Sequence, residues 1–294
     1  MQVLRTGRTS ATALRPSGTL ASFVVALSVF GASLPAVAYG SPAQDLFRTP
    51  AEGSTEIVDH TSFDQLLQTY VKPGADGLNR VDYAALKEGS LQSLRSYIRN
   101  LEQVDPANLD RAEQFAFLAN LYNAKTLEIV ASRYPVKSIR DISLGGGVLA
   151  ALGGGGPWKA KVLKIQGVEL SLDDIEYGIL RPVFKDPRVH YAVNCASIGC
   201  PNLRTEAFTG AKLSQQLDSA SRDYVNSSRG VRFENGRPVI SSLYVWYQND
   251  FGGTDRGVLD HLRRYAAPPL ERKLAGVKSI GKDAYDWGLN DASP

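Results

Sequence analysis

The chain has 294 residues, with 33 Lys and Arg against 30 Asp and Glu, so its charges nearly cancel. The surplus of three lies in Arg5, Arg8 and Arg15, and the rest of the chain is formally neutral. A neutral chain has no electrostatic footprint for nucleic acid or for an anionic membrane surface, and neither is expected as a partner.

The first 38 residues have the pattern of a secretory signal peptide. The three arginines precede an apolar stretch over residues 20–34, and Ala36-Val37-Ala38 then offers a signal-peptidase site. The apolar run is shorter than the roughly 20 residues of a spanning helix, and Pro35 ends it. The pattern therefore predicts cleavage near Ala38, a periplasmic or secreted location, and no stable membrane anchor after cleavage.

The remaining chain divides into a flexible leading segment, residues 39–58, and a single globular domain, residues 59–294. Apolar residues at helical spacing predict helices over residues 62–70, 90–102, 109–133, 172–180, 210–225 and 259–265. Alternation and turn residues predict strands or hairpins at residues 81–83, 161–170, 189–193 and 231–240. Together they predict an α+β fold with helices packed beside a mostly antiparallel sheet.

The glycines between residues 145 and 156 follow no strand with the G-x-G-x-x-G spacing. They are not a dinucleotide fingerprint, so no cofactor is predicted. A loop over a cleft and an inert linker both remain open for this stretch.

Four stretches carry a family resemblance. They read EQFAF–NLYNA at residues 113–124, LDDIE–ILRP at residues 172–182, DPRVH–NCAS–CP at residues 186–201, and YDWGLN at residues 285–290. In their sequence and their order along the chain they resemble the domain-of-unknown-function family 547, over roughly residues 63–290. The resemblance implies bacterial exported relatives but no assigned activity.

The long predicted helix carries two asparagines on one stripe. Glu113, Asn120 and Asn123 are separated by seven and three residues, which places them on the same face. An amide on an apolar helix needs a partner, because burying it unpaired is costly. The asparagines either tie the helix to neighbouring backbone or line a cleft and orient a substrate or catalytic group.

The two cysteines, Cys195 and Cys200, allow three interpretations. They form a disulfide that closes a small loop, or a redox pair, or Cys195 is a thiolate nucleophile with His190 as its base. The third requires the predicted strand of His190 to end before Cys195, because residues five apart on a strand face opposite sides. Zinc would need two further ligands, so no metal is predicted.

Cysteine, histidine and asparagine are the residue types of a papain- or transglutaminase-like site, one form that the α+β class can take. Its catalytic candidates would be Cys195, His190, Asn120 and Asn123. The local papain signature is absent, and the most prominent helix carries no cysteine.

Further residues are candidates for substrate contact. Their side chains supply charge, an amide or an aromatic face, and they are Glu113, Glu176, Arg188, Asn194 and Trp246. The charged ones are more often paired on a surface, and Trp246 and Trp287 are more often core residues.

Two main functional hypotheses follow. One is an exported thiol hydrolase or acyltransferase with a Cys/His/Asn site. The other is a non-catalytic module that binds a cell-envelope polymer or protein partner. A free, accessible Cys195 beside an imidazole would favour the first, and a disulfide would end it.

Overall fold

The computed structural model describes residues 41–144 and 156–292. The predicted signal peptide and residues 145–155 of the glycine-rich stretch lie outside the described residues. The described residues form one compact unit.

Helices dominate the described part of the chain. Helices α1 to α11 span Pro42–Asp45, Thr61–Tyr70, Tyr83–Gly89, Leu91–Leu101, Arg111–Arg133, Asp174–Phe184, Val189–Ala192, Leu213–Val225, Leu243–Trp246, Asp255–Tyr265 and Pro268–Leu274. Helix α6 has π-type hydrogen bonding. Short 3₁₀ turns occupy Pro106–Asn108, Ile139–Asp141, Gly210–Lys212 and Gln248–Phe251.

The strands form three small sheets. Strands β1 to β7 span Val71–Pro73, Asn79–Val81, Leu163–Ile165, Val168–Leu170, Val231–Glu234, Arg237–Ser241 and Lys282–Ala284. The pairs β1–β2, β3–β4 and β5–β6 are antiparallel, and β7 joins β6 in parallel. The α+β class and both predicted hairpins are confirmed.

Helix α5 is the centre of the larger hydrophobic cluster. Asp110 caps its N-terminus by accepting a hydrogen bond from the Glu113 backbone N–H at 2.7 Å. Residues 113–124 are buried without interruption, so the helix is surrounded by protein over three turns. A second cluster joins β5 and β6 to α8 and α10.

Two predicted elements differ from the structure. The strand predicted at residues 189–193 is the short helix α7, buried throughout. A helix end was predicted before Pro182, whereas α6 continues through it to Phe184. The wider turn of a π-type helix changes the geometry around the proline, whose missing N–H and ring disfavour an ordinary α-helix.

The described part of the leading segment is folded against the domain. Phe47 is fully buried in the larger cluster and stacks on Phe117 at 6.2 Å between ring centroids. Arg111 donates hydrogen bonds to the backbone carbonyls of Phe47 and Arg48. These contacts differ from the flexibility that composition predicted for residues 39–58.

No helix within residues 41–144 and 156–292 combines the length and apolar character needed to cross a bilayer.

Candidate functional site

A cleft of about 260 Å³ opens where the two hydrophobic clusters meet. Its aromatic lining consists of Tyr122, Trp158, Tyr177, Trp246, Tyr247, Tyr285 and Trp287. Its ionisable lining consists of Lys159, Asp173, Glu176 and His190. Both cysteines also line it, so four of the predicted site residues meet here: Cys195, His190, Glu176 and Trp246.

The imidazole of His190 is held by acidic and aromatic neighbours. Its Nε2 lies 2.7 Å from Oδ2 of Asp250, and its ring stacks on Tyr247 with centroids 4.0 Å apart. Its Nδ1 lies 4.0 Å from Oε1 of Glu176. Burial raises the pKa of Asp250, but hydrogen bonds from His190 and Arg181 outweigh burial and hold that pKa well below its usual range. The ring is therefore fixed against Asp250.

Glu176 and Asp173 place two carboxyl groups in the cleft from the start of helix α6 and the residue before it. Glu176 is 7% exposed, and the Tyr122 hydroxyl donates to its Oε2 at 3.3 Å. Burial raises the pKa of both carboxyl groups, because desolvation disfavours the charged form. Both groups therefore hold protons more readily than exposed carboxyl groups would.

Aromatic rings form an exposed rim on the other side of the cleft. Trp246 is 49% exposed and stacks on Trp287 at 5.7 Å between centroids. Trp287 also meets Trp158 edge-on at 5.7 Å, and Tyr285 packs 4.8 Å from both Trp246 and Trp287. The preference for Trp246 as a core residue is wrong, because nearly half of its surface faces solvent.

The two cysteines are joined to each other by a disulfide, with Cα atoms 6.2 Å apart. This bond leaves no free thiol in the chain. The proposed pairing of a Cys195 thiolate with His190 is therefore wrong for this structure, since the sulfur is bonded and the ring nitrogens of His190 contact Asp250 and Glu176. Helix α7 ends at Ala192, so Cys195 lies in the loop that follows.

The cysteine loop is held by a segment from far along the chain. The backbone N–H of Ile198 donates to the Gly288 carbonyl, and that of Gly199 donates to the Asp286 carbonyl, both at 2.8 Å. Arg229 donates to the carbonyl of Cys200. Two of the stretches that carried the resemblance, residues 186–201 and 285–290, therefore meet at this wall of the cleft.

Asn120 and Asn123 each hold a remote stretch of backbone against helix α5. The amide of Asn120 donates to the Phe208 carbonyl at 2.8 Å and accepts from the Phe208 N–H at 2.9 Å. That of Asn123 donates to the Ala192 carbonyl and accepts from the Asn194 N–H, both at 2.8 Å. Both side chains are buried, bridge helix α5 to remote backbone and are not part of the cleft lining, which matches the structural alternative for these two residues.

Three predicted substrate contacts, Glu113, Asn194 and Arg188, do not line the cleft and have structural partners. Glu113 accepts from the backbone N–H groups of Val58 and Gly210. Asn194 donates to the Pro201 carbonyl and accepts from the Ala196 N–H.

Arg188 forms ion pairs with Asp186 at 2.7 Å and Asp218 at 3.0 Å. These acids raise the pKa of its guanidinium despite partial burial. The structure thus pairs Arg188 at a second, polar surface pocket and does not place it against the aromatic rim.

Sequence reasoning missed Trp158, Asp173 and Tyr177 as site residues. Asp173 lies three positions before Glu176, and that spacing could have indicated a shared face with it. Trp158 follows the glycine-rich stretch, and no local pattern connects it to Trp246. Within the described residues, no group of three or more His, Cys, Asp or Glu side chains is arranged to hold a metal ion.

The fold and cleft define a class: an α+β domain with an aromatic, acid-lined cleft closed on one wall by a disulfide. Residues 106–225 match the model of the family described as "Protein of unknown function, DUF547". The predicted family resemblance is therefore confirmed over those residues. No curated protein and no solved structure matches the chain.

Proposed function

We propose that the chain is an exported binding domain whose cleft takes sugar rings of a cell-envelope polymer. The observation that carries this proposal is that the chain has three tryptophans and all three, Trp158, Trp246 and Trp287, line this one cleft. A large indole exposed at a cleft mouth presents a flat apolar face at low cost in conformational entropy.

The lining can contact both the apolar C–H face and the polar hydroxyl groups of a sugar ring. The C–H face of a pyranose stacks on an indole such as Trp246, whose surface is 49% exposed. Its hydroxyl groups donate to carboxyl oxygens, which Glu176 and Asp173 supply from one side of the cleft. A cleft with apolar walls and a few convergent polar groups is typical of ligand sites.

Export is part of the proposal and rests on two features. The sequence pattern of residues 1–38 is typical of a signal peptide. A disulfide between Cys195 and Cys200 persists most readily in an oxidising compartment such as the periplasm.

Binding is favoured over thiol hydrolysis because the required catalytic groups have other partners. The sulfur of Cys195 is in a disulfide, and the amides of Asn120 and Asn123 are hydrogen-bonded to backbone. A ligand that stacks on aromatic rings and donates hydrogen bonds to carboxyl oxygens needs none of these groups to be free.

The test compares two neighbouring exposed residues. Trp246→Ala should weaken binding of a soluble envelope polysaccharide or peptidoglycan fragment at least tenfold, the equivalent of about 1.4 kcal/mol for a central aromatic contact. Val245→Ala is the matched control, because Val245 is 44% exposed but does not line the cleft, and it should change affinity less than twofold.

Isothermal titration of the purified mature chain against a panel of envelope glycans measures both effects. The proposal fails if the wild-type chain binds none of these glycans, or if both variants bind equally well. Capture of an envelope protein by a Trp246-dependent contact, without glycan binding, would also overturn the sugar assignment.

A further inference from the structure

The disulfide differs in exposure at its two ends. Cys195 is half-buried on the wall of the cleft, whereas Cys200 is 3% exposed. A thiol that enters the cleft can therefore reach the Cys195 sulfur more easily than the Cys200 sulfur. In thiol–disulfide exchange the attacked sulfur keeps the new bond, and the other sulfur leaves as a thiolate.

The groups around Cys200 are arranged to receive that leaving thiolate. The backbone N–H of Cys195 lies 3.0 Å from the Cys200 sulfur and donates to it. The Tyr285 hydroxyl lies between the two sulfurs, 3.2 Å from that of Cys200 and 3.1 Å from that of Cys195, so it can donate to the Cys200 thiolate once the bond breaks. Burial raises the pKa of Tyr285, so its hydroxyl remains a donor throughout the neutral range. Hydrogen-bond donors stabilise a thiolate and make it a better leaving group.

A positive charge lies on the same side. The guanidinium of Arg229 donates to the Cys200 carbonyl, and its other terminal nitrogen is fixed by the side-chain oxygen of Asn202 at 2.9 Å. Electropositive, partly accessible surroundings are those in which cysteine pairs react.

We propose that Cys195–Cys200 is a redox-active disulfide that exchanges with a dithiol of a peptide or protein. One thiolate of the dithiol attacks the Cys195 sulfur, the S–S bond breaks, and its electron pair goes to the Cys200 sulfur. The second thiolate of the dithiol then attacks the first sulfur of the same dithiol, which is bonded to Cys195 in the mixed disulfide. The bond to Cys195 breaks, and its electron pair goes to the Cys195 sulfur. The dithiol is oxidised to a disulfide, and the pair is reduced to two thiols that take up the two protons.

This inference is independent of glycan binding and rests on the cleft. The four residues between the cysteines do not match the Cys-x-x-Cys spacing of thioredoxin-like motifs. The asymmetry of exposure and the two hydrogen-bond donors at the Cys200 sulfur carry it instead.

Labelling of the full mature chain tests the proposal, and every label reports on this pair because the chain has two cysteines. Native wild-type protein is incubated with dithiothreitol, quenched with iodoacetamide and weighed by mass spectrometry. We expect two labels to appear without denaturant. Reduction only after unfolding in guanidinium would overturn the proposal.

Two single variants test which sulfur is attacked. In Cys200→Ser the remaining Cys195 should react with a thiol-specific disulfide reagent at least tenfold faster than Cys200 does in Cys195→Ser. Equal rates, or the reverse order, would contradict the assigned direction of attack.

The role of the donor is tested with Tyr285→Phe, which keeps the ring and removes the hydroxyl. We expect native reduction by dithiothreitol to slow by severalfold with unchanged circular dichroism. Ser197→Ala is the comparison for the attacked side, because the Ser197 hydroxyl lies 3.3 Å from the Cys195 sulfur and donates to the Tyr285 hydroxyl at 3.1 Å. It should slow native reduction less than Tyr285→Phe does. An unchanged rate in Tyr285→Phe would overturn stabilisation of the leaving thiolate.

Discussion

The side-chain amide of Asn120 both donates a hydrogen bond to and accepts one from the backbone of one remote residue, Phe208. Both atoms of the Phe208 backbone are thereby satisfied inside the protein, where an unpaired polar group is expensive. The residue therefore acts as a bridge between helix α5 and the loop before α8. A buried asparagine of this kind stabilises the fold by satisfying backbone groups that water does not reach.

Replacing Asn120 by alanine should lower the free energy of unfolding by about 2–4 kcal/mol, because two buried backbone groups lose their partners. Urea unfolding followed by circular dichroism measures the change. Gln65→Ala is the control, since Gln65 is exposed on α2, and it should stay within about 0.5 kcal/mol of wild type. Equal stability of the two variants would contradict the bridging role.

At this scale the sequence predicts which residue types need partners but not which partners they find. Asn120 and Asn123 were open to a structural or a catalytic role, and only the positions of Phe208 and Ala192 decide between them. Trp246 shows the opposite case. Its size predicts burial, but the site it occupies is a solvent-facing rim.

Among the elements, the cysteine loop depends on the close approach of another segment at Gly199. A Cβ atom at this position would lie 2.8 Å from the backbone nitrogen and 2.9 Å from the carbonyl oxygen of Asp286. Backbone atoms cannot move aside as a flexible side chain can. The absence of a side chain at Gly199 permits the close approach in which Ile198 donates to Gly288 and Gly199 donates to Asp286.

Gly199→Ala should therefore destabilise the protein by about 1–3 kcal/mol, the usual cost of overpacking. It should also change the tryptophan emission spectrum, because Trp287 lies on the displaced segment. Gly276→Ala serves as the control, since a Cβ there meets no atom within 4 Å. If thermal unfolding and tryptophan emission are the same in the two variants, the close approach of Gly199 to the Asp286 backbone does not stabilise the cysteine-loop wall of the cleft.

The elements predicted well are those with a clear repeat or turn. Helix α5 begins and ends within two residues of its predicted bounds, and the β5–β6 hairpin turns at Asn235-Gly236 as expected. Residues 189–193 were misassigned because every side chain is apolar or buried, and full burial removes the alternation that separates a strand from a helix. Tertiary packing determines whether such a segment forms a strand or a helix.

Considering the whole molecule, two buried histidines make its stability sensitive to mild acid. Burial lowers the pKa of His60 and of His261 from 6.5 to about 4 in each case. As the pH falls below 6.5, the unfolded chain takes up protons that the folded chain does not, so stability is lost until the folded groups titrate near pH 4.

Between pH 7 and pH 4.5, each histidine should reduce the free energy of unfolding by about 2 kcal/mol. Urea unfolding at a series of pH values measures this loss. His261→Gln should remove about half of the histidine contribution, so the stability difference between variant and wild type should shift in favour of the variant as the pH falls. Parallel pH curves would show that His261 titrates alike in both states.

The α+β class was predictable from the order of helices and hairpins, whereas the cleft was not. Its walls come from positions as distant as Tyr122 and Trp287, and no local pattern encodes their meeting. The four stretches that carried the family resemblance marked several of these positions without indicating how they are arranged.

The parallel addition of β7 to β6 leads the chain back to Tyr285 and Trp287, so the segment after β7 supplies two rings of the aromatic rim. The central helix and most of the larger cluster are built from earlier residues. During synthesis, the body of the domain can therefore fold before the Tyr285–Trp287 side of the cleft is complete. A ligand bound tightly in the cleft should therefore stabilise the segment that carries Tyr285 and Trp287. It should slow local unfolding of that segment more than local unfolding elsewhere in the domain.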